Sequence, residues 1–151
     1  MTGPREFASG GWPSRPTPTF ARPGTVVPVA LGDAVVLGAF VTFGLYSHNI
    51  LLWEHPGYAA RTFLPFLLGW LVVAPLAGAY ASRVLTGWRA ALGWTALAWG
   101  GATLVGGAIR ASPFFHGGAP PDFLLVNFAI GLAFLLPWRA SVAIVGARRI
   151  P

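Results

Sequence analysis

The sequence predicts an all-α fold, a bundle of four transmembrane helices with both termini cytoplasmic and a disordered N-terminal tail. Three observations carry that expectation. Charged residues make up 9% of the 151-residue chain and hydrophobic residues 55%, against roughly 25% charged in ordinary soluble domains, so a soluble surface cannot be assembled. Four apolar runs each approach the ~20 residues that a helix needs to cross a ~30 Å hydrocarbon layer. None of these runs alternates with the period of two that a membrane barrel strand requires.

Residues 1–23, MTGPREFASGGWPSRPTPTFARP, are dominated by Pro, Gly, Ser, Thr and Arg. Such a segment buries too little apolar surface to offset its ordering entropy, and a disordered cytoplasmic tail is expected. The first long apolar run begins some 25 residues in and lacks a secretory layout. Trp12 and Phe20 are the residues by which the tail would touch a membrane surface.

The membrane domain is expected over 24–151. Its first span, about 25–46, is broken by one charge, Asp33. The second, about 62–81, and the third, about 90–109, carry none. The fourth, about 123–145, meets Arg139 in its second half. Pro28, Pro65, Pro75 and Pro137 lie in or near the spans, where neighbouring helices can re-satisfy the carbonyls that proline frees. Small residues four apart (Ala74 and Gly78, Gly78 and Ser82, Ala96 and Gly100) mark candidate helix contacts. The short connection Ser82–Arg89 implies that the second and third spans form an antiparallel hairpin.

Orientation follows from arginine. Eight of the ten basic residues, Arg5, Arg15, Arg22, Arg83, Arg89, Arg139, Arg148 and Arg149, fall on one side of the four spans. Arg61 and Arg110 fall on the other. The positive-inside rule puts the richer side, with both termini, in the cytoplasm of a multi-pass cell-membrane protein.

Polar groups within the spans are costly and are expected to face a partner or a wet cavity. Asp33 lies about 12 Å below the cytoplasmic end of its helix, and Arg139, in the cytoplasmic third of the fourth span, is its natural partner. Asp33, Leu37, Phe40, Gly44 and His48 share a helix sector of roughly 80°, an inward stripe if Asp33 faces inward. A second cluster gathers at the outer end: His48, Asn49, Glu54, Arg110, Asp122 and, a turn lower, Asn127. Asp122 follows two prolines in the position of an N-cap, and pairing of Arg110 with Asp122 or Glu54 is geometrically reasonable. Capping and interface anchoring account for this cluster, and a polar vestibule for a small ligand is the sharper alternative.

Several function classes are excluded or disfavoured. With no cysteine, disulfides, thiolate metal sites and cysteine nucleophiles are impossible. His48, His55 and His116 lack metal-binding spacing, so no metal is expected, and no mid-span histidine is placed to ligate haem. No cofactor motif, phosphate-binding glycine loop or hydrolase elbow is present. The arginines form no basic stripe interleaved with polar groups, which argues against nucleic acid.

Taken in order, Gly32–Asp33, Gly44 with Ser47–His48, Pro65–Phe66–Leu67–Leu68–Gly69–Trp70, Ile109–Arg110–Ala111, Pro121–Asp122–Phe123 with Val126, and Trp138–Arg139 form a set. Over about residues 30–145 the chain resembles the small four-helix membrane proteins catalogued as domain of unknown function 3054. The resemblance implies the four-helix architecture and the positions of Asp33, His48, Arg110 and Arg139, and it implies no activity. With no catalytic constellation, the expected role is a non-enzymatic binding or accessory subunit in the lipid bilayer, with a membrane-protein partner. The alternative is a small-solute or ion permease or channel working as a homo-oligomer, because four helices make too thin a bundle for a wide pore.

Overall fold

A computed structural model describes residues 19–148. The order along the chain is α1 (Pro23–Ser47), α2 (Pro56–Leu76), α3 (Ser82–Thr86), α4 (Trp88–Arg110) and α5 (Pro121–Arg148). Among the described residues there is no strand, and four of the five helices are long and apolar enough to cross a membrane. That combination suggests a membrane protein. The expected disorder of residues 1–18, with Trp12, Arg5 and Arg15, falls outside the described residues, as does Arg149.

The described end of the expected tail is tied down. Ala21 N donates to the Tyr80 carbonyl at 3.1 Å and Ser82 N donates to the Thr19 carbonyl at 3.2 Å, a short antiparallel bridge between the approach to α1 and the α2–α3 connection. Pro23 then opens α1 at a position where its missing N–H costs nothing.

The second helix differs most from expectation, running 56–76 rather than 62–81. Pro56 sets its start in the same way as Pro23. Gly78, at φ +78°, sets its end: Ala79 N bonds to the Ala74 carbonyl and Gly78 N to the Pro75 carbonyl, the paired closure of a left-handed C-terminal cap. Residues 82–86, expected within a plain hairpin loop, wind into the short α3. Prolines 28, 65, 75 and 137 all lie inside helices that continue through them.

α2 lies along α4, α4 along α5, and α1 rests against α2 and α5. The closest seam joins α2 to α4. A Cβ on Gly69 would stand 2.5 Å from the Ala102 carbonyl oxygen, and one on Gly106 would stand 3.0 Å from the Pro65 carbonyl oxygen. The small residues that make this approach possible are Ala98, Ala102 and Gly106, all buried and four apart. Ala96 and Gly100, expected in that role, are only half-buried, because the contacting face of α4 is turned by two residues from the one their spacing marks.

α1 and α4 do not approach along their backbones, and aromatic rings fill the space between them. Phe40 meets Trp99 edge-on with centroids 6.0 Å apart, Phe134 lies beside Phe40, and Phe66 and Trp70 close on Trp99 from α2. This layer divides the bundle into two ends of different chemistry.

Candidate functional site

At the end that holds α3 and the start of α1, Asp33 and Arg139 meet. Asp33 is ten residues into α1 and Arg139 nine residues before the end of α5, so each is roughly 15 Å from its helix terminus at ~1.5 Å per residue. Arg139 donates Nε to Asp33 Oδ1 at 2.8 Å and Nη2 to Oδ2 at 2.6 Å, the parallel fork in which guanidinium and carboxylate bind most strongly. Asp33 is 0% and Arg139 1% exposed. The pair is the one salt bridge among the described residues.

Three neutral donors complete the carboxylate's surroundings. Trp138 Nε1 donates to Oδ1 at 2.9 Å, and the Tyr80 hydroxyl and Trp70 Nε1 donate to Oδ2 at 2.6 and 3.2 Å. A carboxylate offers about four lone-pair sites, so five donors leave no acceptor capacity for a solute. Arg139 is equally occupied. Its Nη1 donates to the Ala79 carbonyl at 2.9 Å, and its guanidinium carbon lies 4.7 Å from the Tyr80 ring centroid and 5.3 Å from that of Trp70. Burial first, and then the Asp33 charge, push the Tyr80 hydroxyl above its ordinary pKa and keep it a donor. Tyr80 reaches this position because the α2 cap at Gly78 turns the chain back under the bundle.

The opposite end holds the other predicted residues. His48, Arg110 and Asn127 line a cavity of about 450 Å³ between the end of α1, the start of α2, the end of α4 and the start of α5. Its walls include Phe40, Val41, Leu45, Phe123 and Ile130. Arg110 is buried, donates Nε to the Gly118 carbonyl at 3.1 Å, and lies over the Phe123 ring. Asn127 Nδ2 reaches Thr103 Oγ1 at 3.5 Å.

Asn49, Glu54 and Asp122 are exposed and do not join that lining. Asn49, at φ +59°, caps α1: its N–H bonds to the Tyr46 carbonyl while that of Ile50 bonds to the Leu45 carbonyl. Asp122 lies inside the first turn of α5 rather than at its N-cap, because Pro121 already begins the helix. There it complements the helix dipole. Neither Asp122 nor Glu54 pairs with Arg110, whose Nε is held by the loop carbonyl of Gly118 instead. On α1 the inward stripe runs Val29, Asp33, Leu37, Phe40, Val41 and Leu45. At ~3.6 residues per turn the helix rotates Gly44 and His48 to its edge, at the cavity wall.

The family described as Protein of unknown function (DUF3054) matches residues 30–142. The chain belongs to this family. No curated protein and no solved structure matches it. The matched stretch contains every member of the Asp33 network, Trp70, Ala79, Tyr80, Trp138 and Arg139 included, and all the residues named on the cavity.

Among the described residues no group of three or more His, Asp or Glu is placed to hold a metal ion. Sequence reasoning missed Trp70, Tyr80 and Trp138 as partners of Asp33. The available signal was adjacency: Trp138 precedes Arg139, and Trp70 precedes Asp33's end of the bundle by less than two turns of α2.

Proposed function

We propose that this chain is a non-enzymatic, multi-pass protein of the cell membrane that works as a binding or accessory subunit, with both termini in the cytoplasm. The observation that carries this reading is the closure of the Asp33 site. A carboxylate on a proton or ion path has to meet water or solute and exchange partners during the cycle. Asp33 is held by five donors, fully buried and fixed to a partner that is itself fully engaged. Its chemistry is that of a clamp joining the first helix to the last. The apolar outer faces of the four long helices are available for lipid or a protein partner.

A permease or channel built as a homo-oligomer is the second reading, and the cavity at the His48 end favours it. In that case the path runs between subunits, since the Phe40–Trp99–Phe134 layer fills the bundle centre. Purification into nanodiscs, with measurement of complex mass and all co-purifying components, separates the two. A stoichiometric second protein supports the accessory role. A pure homo-oligomer that carries solute or ion flux in liposomes overturns it.

A further inference from the structure

We propose that the cavity at the His48 end binds an amphiphile with an apolar tail and a single oxyanion head, which Arg110 receives. Arg110 is 8% exposed, lines the cavity and makes no salt bridge among the described residues. All its polar contacts are to neutral groups. Nε donates to the Gly118 carbonyl, Nη1 reaches the Arg61 carbonyl and Thr62 Oγ1 only at 3.5 and 3.4 Å, and Nη2 has no acceptor among the described residues. Among the described residues the other arginines lie exposed or, like Arg139, face a carboxylate. A guanidinium carries five donors in a rigid fork suited to carboxylate or phosphate oxygens, and a buried one without a counter-charge attracts an anion.

The rest of the cavity defines the tail. Phe40, Val41, Leu45, Phe123, Val126 and Ile130 supply apolar walls, and the aromatic layer closes the far end. At about 450 Å³ the space falls within the ~300–1,000 Å³ range of small-ligand pockets. Ser47, His48 and Tyr58 line the same cavity and supply further hydrogen-bonding groups. The site is separate from the Asp33 clamp and does not depend on the accessory role.

Gly44 supplies the decisive variant. It lines the cavity, and a Cβ built there meets nothing within 4 Å, so the side chain of Gly44→Leu starts into open space and takes up cavity volume. Replacing a helical glycine carries no propensity cost. The test uses the full chain in phosphatidylcholine nanodiscs, with decanoate, decyl phosphate and decanol as probes and the unfolding midpoint as readout. At about a hundredfold excess over Kd, decanoate or decyl phosphate raises the midpoint by about 5 °C in the wild type. Decanol gives a clearly smaller shift, and Gly44→Leu abolishes all three. Arg110→Gln weakens the anions at least tenfold and leaves decanol unchanged. If Arg110→Gln does not fold, the Gly44→Leu comparison decides alone. Equal shifts in wild type and Gly44→Leu, decanol matching both anions, or no shift with either anion overturns the proposal.

Discussion

Gly32 and Trp138 interlock: the indole ring occupies the volume in which a side chain on residue 32 would lie. Each stands next to a member of the buried ion pair, so Gly32–Asp33 on α1 faces Trp138–Arg139 on α5 as two matched dipeptides. The absent side chain lets Trp138 press against the α1 backbone, from which its Nε1 reaches Asp33 at 2.9 Å.

Gly32→Ala is therefore expected to lower stability. In an exposed helix the change would add about 1 kcal/mol. Here the new methyl overpacks the indole and displaces its hydrogen bond, for a net loss of about 1–3 kcal/mol. The unfolding midpoint in nanodiscs checks the sign, and Trp138→Phe in the Gly32→Ala background should recover part of the overpacking loss, since it removes the outer indole carbons nearest to residue 32.

Breaking the ion pair should cost more. Asp33→Asn and Arg139→Gln each leave a buried partner uncompensated, and a loss of about 3–5 kcal/mol is expected for either. The double change Asp33→Leu with Arg139→Leu should recover only part of it. Trp70, Tyr80 and Trp138 keep donors aimed at the lost carboxylate, and the Ala79 carbonyl loses its guanidinium. Full recovery in a thermal-unfolding cycle would show that these neutral groups contribute nothing.

Tyr80 sets an alkaline limit. Its proton is held more tightly in the folded chain than in the unfolded one, because burial and the Asp33 charge both oppose ionisation. That stabilisation is complete below the ordinary tyrosine pKa of about 10 and is lost as pH rises above it. Between pH 9 and 11.5 the unfolding midpoint should fall more steeply in the wild type than in Tyr80→Phe. Parallel curves would contradict the linkage.

Thr95 offers a change in the opposite direction. Its hydroxyl is the one side-chain polar atom both sealed from solvent and without a partner among the described residues. Thr95→Val keeps the shape and removes the unpaired group, and stability should rise by about 1 kcal/mol. A drop in the midpoint would reveal a partner that the hydroxyl makes in the membrane.

Orientation is tested by labelling, which the absence of native cysteine makes clean. His55→Cys and His116→Cys, both at exposed positions, should react with an impermeant maleimide added to intact cells. Ser82→Cys should react only after permeabilisation. The reverse pattern would place the arginine-rich end outside.

Much of this architecture is legible in the sequence because lipid penalises polar atoms so heavily. Four long apolar runs, only two of them carrying a charge, have few alternatives to crossing helices, and two opposite charges at similar depth have few alternatives to each other. Neutral residues carry no such penalty. Trp70, Trp138 and Tyr80 bind Asp33 through single N–H or O–H groups, yet in composition they match aromatics that anchor at interfaces. The helix ends are hidden for a related reason: residues 77–81 are as apolar as a span, and only the φ of Gly78 reveals the turn. On α4, Ala96 and Ala98 look alike, and the packed face depends on Gly69, a residue of another helix.

The clamp also constrains how the protein is made. Asp33 and Arg139 are 106 positions apart, so the first helix emerges long before its counter-charge exists. At the ~5–20 residues per second of protein synthesis, that interval is roughly 5–20 s. Throughout it the Asp33 carboxylate lacks the guanidinium that neutralises it in the folded bundle. The pair therefore closes only after α5 has been made, which makes this contact a late one in the assembly of the bundle.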